Sequence, residues 1–225
     1  MRLLYVFPEP LPLERARGLQ VASTVAALGR LGVEVDLVHV PVDGRDPFAH
    51  YGIAAPATVR RVPLSRSLPW PLGRVHSNRI FHARLRRALG AALDADALVV
   101  RHLKLAHLLL GSGNPLLYEA HEVFADTAAP GKKAVLAALE QEVMSRADCV
   151  VTNSGQTARR LASLYGRTDK VTIIPNGVDR PSSLPEKRWE DAAQHLIYAG
   201  SLFAWKGVQE PVSYTHLRAH ETRED

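Results

Sequence analysis

The side chains best equipped for chemistry stand where apolar runs end. His121 follows Leu116-Leu117-Tyr118 and is bracketed by Glu119 and Glu122. An imidazole beside a carboxylate can hold or move a proton near neutral pH, and α/β folds bind ligands at the carboxyl ends of their strands. A merely structural histidine would read the same way, and the residues alone leave the two readings level. Arg17 and Gly18 open a helical pattern after the first apolar run. A glycine there lets a ligand approach the backbone and offers N–H groups to an anion, although a plain turn glycine fits equally. Asn153-Ser154-Gly155 does not satisfy G-x-S-x-G, and Ser154 suits the N-cap of a following helix. Asn176-Gly177 is a turn signal in its own right. The zinc pattern H-E-x-x-H fails at Ala125, and no G-x-G-x-x-G follows the first apolar run. Lys206-Gly207 comes after Gly200-Ser201 and, taken alone, is an ordinary surface lysine.

The elements that must position these residues alternate along the chain. Apolar runs at 3–7, 33–40, 58–62, 97–100, 116–119, 149–152, 171–174 and 196–199 predict strands, several of them buried on both faces. A proline-rich loop holding Pro8, Pro10 and Pro12 is expected after the first. Val21, Val25 and Leu28 recur at helical spacing, with Gly32 placed to end that helix. Further helices are predicted near 76–93, 132–146 and 155–165. In the first of these, Phe81, Leu85, Leu89 and Leu93 face inward while Arg79, Arg84, Arg86 and Arg87 form the polar side. Strand and helix in alternation imply right-handed crossovers and an α/β, Rossmann-like, doubly wound parallel sheet.

Composition sets the outer bounds. The 225 residues are 46% hydrophobic, which is enough to build a core and excludes disorder, collagen and coiled coil. The single cysteine, Cys149, excludes a disulfide-stapled scaffold and reads as a small buried hydrophobe. Lys and Arg number 28 against 23 Asp and Glu, a balance that suits an acidic partner without choosing one. No apolar stretch reaches the ~20 residues that span a bilayer, and proline stops the first run too early for a signal peptide. The cytoplasm is the default compartment.

Five segments together resemble the glycosyltransferases of the GT-B fold, specifically the large retaining family 4. They are Arg15-Ala16-Arg17-Gly18-Leu19-Gln20-Val21, Tyr118-Glu119-Ala120-His121-Glu122, Val150-Val151-Thr152-Asn153-Ser154, Ile173-Ile174-Pro175-Asn176-Gly177-Val178-Asp179, and Tyr198-Ala199-Gly200-Ser201-Leu202 with Lys206-Gly207. The resemblance covers roughly residues 1–209. It implies a sugar transferred from a nucleotide-sugar donor to an acceptor hydroxyl with retention, with no cofactor and no required metal. It places His121 by the reacting sugar and Lys206 on the leaving pyrophosphate. Arg17, Gly18, Glu122, Asn153, Ser154, Asn176, Gly200 and Ser201 line the cleft. The family usually has arginine where Ser201 stands.

On this reading residues 1–180 form the acceptor-side domain, the polar, proline-rich 181–194 a linker, and 195–210 the start of a donor-binding domain. Residues 211–225 bury nothing obvious and resemble translated sequencing adapter, a foreign, unstructured tail. The family's downstream Glu-x7-Glu element, which holds the donor, is missing after Lys206, so the chain as given is expected to be inactive. The partners implied are a nucleotide sugar and an acceptor of unknown kind, with peripheral contact to anionic membrane and no nucleic acid. Two rivals stand: a nucleotide-sugar epimerase of the same architecture, and a basic, non-catalytic module adhering to membranes.

Overall fold

The computed structural model describes residues 1–69, 77–91, 94–166 and 171–177. Those up to Gly177 fall within one compact unit. The linker, the strand predicted at 196–199, the tail, and Gly200, Ser201 and Lys206 lie outside the described residues.

Seven parallel strands make one sheet: β1 (Arg2–Leu11), β2 (Glu34–Pro41), β3 (Val59–Pro63), β4 (Ala97–Val100), β5 (Leu116–Ala120), β6 (Cys149–Thr152) and β7 (Val171–Ile173). Their order is β3-β2-β1-β4-β5-β6-β7. The chain thus winds outward in one direction from β1, returns to the middle at β4, and winds outward in the other. The crossovers carry α1 (Ala16–Arg30), α2 (Pro47–His50), α3 (Asn78–Ala91), α4 (Leu103–Leu109), α5 (Phe124–Thr127), α6 (Pro130–Arg146) and α7 (Gly155–Tyr165).

Both faces of the sheet are covered, which is why its central strands are apolar runs and not alternating patterns. Along β1 the pleat sends Leu3, Tyr5 and Phe7 toward Val21, Ala22, Val25 and Ala26 of α1. Leu4 and Val6 point the other way, into a core shared with Phe81 and Leu85 of α3, Leu105 of α4 and Val143 of α6. Each large side chain buried in this way stabilises the fold by ~1.5–3 kcal/mol relative to exposure. The predicted helix end at Gly32 is found: φ is +82°, and the Val33 amide reaches back to the Leu28 carbonyl at 3.1 Å.

Three expectations need correction. The prolines at 8 and 10 do not begin a loop, because β1 runs on to Leu11 through a bulge between Phe7 and Pro10. Pairing with β4 stops at Val6, so beyond that point the strand has a neighbour on one side only and a missing N–H is tolerated. The seven-residue α4 was not predicted, since Leu103, Leu105, Ala106 and Leu109 are all buried and its span is too short for a 3.6-residue period to emerge. Cys149, finally, is half-buried at the first position of β6. On α3, Phe81 and Leu85 are buried and Arg79, Arg86 and Arg87 exposed, while Arg84 donates to the Ser65 carbonyl at 2.6 Å. No helix among the described residues is long and apolar enough to cross a membrane.

Candidate active site at the carboxyl edge of the sheet

The winding reverses between β1 and β4. These strands pair from Leu3 opposite Ala97 to Val6 opposite Val100, and past that register β1 continues beside β2 alone. A crevice at the carboxyl edge follows from the topology, because the connections from the two strands leave on opposite sides. The start of α1 brings Arg17 and Gln20 to it, the exit of β4 brings Arg101, and the exit of β5 brings Glu119 and His121.

Strand alternation decides which of the two carboxylates flanking His121 is its partner. Tyr118 and Ala120 belong to the core on the α3 side, so Glu119 faces the α1 side with Tyr5. The Tyr5 hydroxyl donates to Glu119 Oε2 at 2.6 Å, and the same oxygen lies 3.7 Å from His121 Nε2. Burial raises the Tyr5 phenol well above its usual value, and the Glu119 charge and hydrogen bond push it the same way. Tyr5 is therefore a permanent neutral donor that fixes the carboxylate from below. The His121 imidazole stands beside that carboxylate, farther than a hydrogen bond, and sits at the rim with 18% of its side chain exposed. Glu122 is exposed and accepts from Thr127 Oγ1 at 3.4 Å.

Arg101 anchors the second part of the cluster. Its Nη1 donates to Gln20 Oε1 at 2.8 Å, and Gln20 Nε2 donates to Asn176 Oδ1. The loop after β7 is thereby tied to α1, helped by the Ile174 amide on the Thr152 carbonyl at 2.8 Å. Burial lowers the pKa of the Arg101 guanidinium from its ordinary value, while Tyr5, Glu119 and Glu9 favour its charge and Arg17 opposes it. Arg17 itself pairs with Glu9 through Nη2 at 2.5 Å.

The other predicted residues take different places. Gly18 is buried, its amide donates to the Arg15 carbonyl at 2.9 Å, and a Cβ there would stand 2.2 Å from the Tyr51 hydroxyl. The need for glycine is thus explained by packing against Tyr51. Ser154 caps α7, accepting from the Thr157 amide at 3.2 Å, and Asn153 is half-buried beside it. Sequence reasoning brought out His121, Arg17 and Asn176 but passed over Arg101, Tyr5 and the bridging role of Gln20. Arg101 carries the signal used for His121, a polar residue directly after an apolar strand. Beside the crevice, an open depression of about 530 Å³ lies at the ends of β1 to β3, lined by Pro10, Pro41, Asp43, Ser65 and Arg66. Among the described residues no group of three His, Cys, Asp or Glu is placed to hold a metal ion.

A parallel sheet in this order, with helices on both faces, is a Rossmann-like α/β domain of the kind found in the GT-B fold. The sequence model of Glycosyltransferase Family 4 matches residues 18–180, and the chain belongs to that family. A comparison with curated proteins finds no match.

Among solved structures, Anabaena Alr3699/HepE in complex with UDP-glucose is similar at 15% identity and TM-score 0.54, covering 80% of this chain and 44% of its own. UDP-GlcNAc 2-epimerase from Methanocaldococcus jannaschii is similar at 11% identity and TM-score 0.54, covering 78% and 46%. A sucrose-phosphate synthase structure from Thermosynechococcus elongatus reaches 16% identity and TM-score 0.51, covering 80% and 91%. At these identities the likeness is one of fold. The chain spans less than half the length of HepE and of the epimerase.

Proposed function

We propose that the protein moves a sugar from a nucleotide-sugar donor to an acceptor hydroxyl, with retention, and that the described domain supplies the acceptor side of the site. The observation that carries this is the Tyr5–Glu119–His121 series at the point where the sheet's winding reverses, in a chain of Glycosyltransferase Family 4. HepE, a structure of the same fold, holds UDP-glucose.

In this reading the bond from the sugar's anomeric carbon to the diphosphate oxygen breaks as the acceptor oxygen bonds to that carbon. The acceptor's proton passes to the departing diphosphate. His121, beside Glu119, hydrogen-bonds a hydroxyl of the transferring sugar, so that contact tightens as the sugar approaches its oxocarbenium-like geometry. Arg101 holds Gln20 and Asn176 at the crevice, and Lys206 offers fixed charge to the leaving pyrophosphate.

The test is turnover by the full-length gene product over a panel of nucleotide sugars and acceptors, with product analysis. His121→Ala is expected to lower kcat by roughly a hundredfold with nucleotide-sugar affinity little changed, the signature of an interaction made in the transition state. Unchanged turnover would reject the role of His121. A free, epimerised nucleotide sugar as the only product would replace transfer with epimerisation.

A further inference from the structure

The open depression at the ends of β1 to β3 has no part in the chemistry of His121. Its volume of about 530 Å³ lies within the ~300–1,000 Å³ of sites that hold small organic ligands. Its apolar walls include Pro10 of β1 with Val40 and Pro41 of β2, which the register past the bulge sets side by side, Pro10 opposite Val40 and Leu11 opposite Pro41. Neither proline has an N–H, so a ligand's C–H face covers them without orphaning a backbone donor. The turn after β2 adds Asp43, and the turn after β3 adds Ser65 and Arg66. The backbone of both turns is already engaged. The Arg45 amide donates to the Val42 carbonyl at 3.1 Å, the Ser77 amide to the Arg66 carbonyl at 2.9 Å, and Arg84 Nη1 to the Ser65 carbonyl at 2.6 Å. The charged heads are not: among the described residues the Asp43 carboxylate and the Arg66 guanidinium have no hydrogen-bond or ion-pair partner, and they do not pair with each other. Ser65 Oγ accepts from the Ser67 amide at 3.0 Å and keeps its own O–H to donate.

We propose that this depression is a saccharide subsite that takes a neutral, polyhydroxylated ring of the acceptor, held by Asp43, Ser65 and Arg66. The chemistry of the lining selects that class. An anion would meet the Asp43 carboxylate, and a hydrocarbon would cover two charges without pairing them. A sugar hydroxyl both donates and accepts, so one ring donates to Asp43, accepts from Arg66 and Ser65, and lays its C–H face on the prolines. Because the depression is open, a longer glycan continues from it into solvent. Its place suits an acceptor: Pro10 follows Glu9, whose carboxylate pairs with Arg17 at the crevice, so the extension of β1 borders both. Calling the sugar an acceptor rests on the glycosyl-transfer reading, whereas the subsite as a sugar binder does not.

The experiment titrates the full-length protein with maltose, cellobiose, lactose and glucose 6-phosphate while following backbone amides by NMR. At least one neutral disaccharide is expected to move the amides of Val42, Asp43, Ser65 and Arg66. Asp43→Ala and Arg66→Ala should each weaken it about tenfold, the worth of one charge-assisted hydrogen bond. Their urea midpoints should match the wild type, since neither side chain has a partner to lose. No shift at these amides with any of the three disaccharides, or unweakened binding by the variants, would overturn the subsite. Tighter binding of glucose 6-phosphate there, lost in Arg66→Ala alone, would replace it with an anion site. With the bound sugar as acceptor, both variants should raise its KM about tenfold and leave kcat little changed. An unmoved KM would overturn the assignment to the acceptor. Sugar binding in a protein that shows no sugar transfer would reject the transfer reading and leave the subsite standing.

Discussion

Single side chains here serve two masters, and Gly18 shows how to separate them. From sequence, a glycine opening the first helix is open to ligand approach; in the structure its amide is engaged by Arg15 and its Cα is pressed by Tyr51. The Tyr51 hydroxyl both donates to the Leu13 carbonyl, at 2.6 Å, and accepts from the Leu13 amide, at 2.7 Å, so it cannot retreat without orphaning the turn that leads into α1. Gly18→Ala should therefore cost about 1–3 kcal/mol of stability, read from the urea midpoint. Adding Tyr51→Phe removes the colliding oxygen, and the pair should be less destabilised than the sum of the single changes. An alanine variant of wild-type stability that bound nucleotide sugar poorly would return Gly18 to the ligand. Nothing near Gly18 in sequence announces Tyr51, which is why this contact was not legible. The same applies to His121, where only the strand's pleat distinguishes Glu119 from Glu122.

At the scale of elements, long periodic segments were readable and single turns were not. Seven strands and the helices α1, α3, α6 and α7 fall where hydrophobic runs and spacings put them, because burial on both faces writes itself into composition. α5 has four residues and almost no pattern, yet the segment between β5 and α5 carries His121. What holds it is Glu140 of α6, fully buried, which accepts from the amides of Phe124 at 2.9 Å and Ala125 at 3.1 Å and from the Tyr165 hydroxyl at 2.7 Å. In sequence Glu140 is one more polar residue on a charged helix. In the structure it clamps α5, α6 and α7 together with the donors it would otherwise orphan. Glu140→Ala should cost about 2 kcal/mol or more by leaving three donors unpaired, the Ala125 amide buried and the other two half-buried, and Glu140→Gln less, since the amide keeps one acceptor. Hydrogen exchange across 121–127 should quicken in the alanine variant. A destabilised protein whose 121–127 amides exchange as in the wild type would show that this loop is positioned by something else.

At the scale of the molecule, the site is assembled from residues distant in the chain: Gln20, Arg101 and Asn176 meet only because the winding reverses at β1 and β4 and the loop after β7 comes back to α1. The reversal was implied by alternating strands and helices; which side chains would meet there was not, since strand order is not written in local pattern. The same burial that builds this edge also sets how the fold answers to acid. His39, His82 and His102 all have pKa values lowered from 6.5, in each case chiefly by burial. His39 lies on β2 with its Nδ1 3.1 Å from the Val40 carbonyl, opposed by Arg61 and helped by Asp46 in holding a proton. Groups whose folded pKa is depressed take up protons more readily unfolded, so stability must fall as pH drops below 6.5, by up to about 1.4 kcal/mol per pH unit for each histidine titrating only in the unfolded chain. The carboxylates with lowered pKa, Asp46, Asp126 and Glu142, lose their contribution only below about pH 4.5, the range of unfolded carboxylates, which leaves the window between to the histidines. Urea midpoints measured from pH 8 to pH 5 should be flat down to about 6.5 and then decline. His39→Gln should flatten part of that decline. A profile that stays level to pH 5 would mean that these imidazoles gain protons without strain in the folded chain, and the burial argument would have to be abandoned.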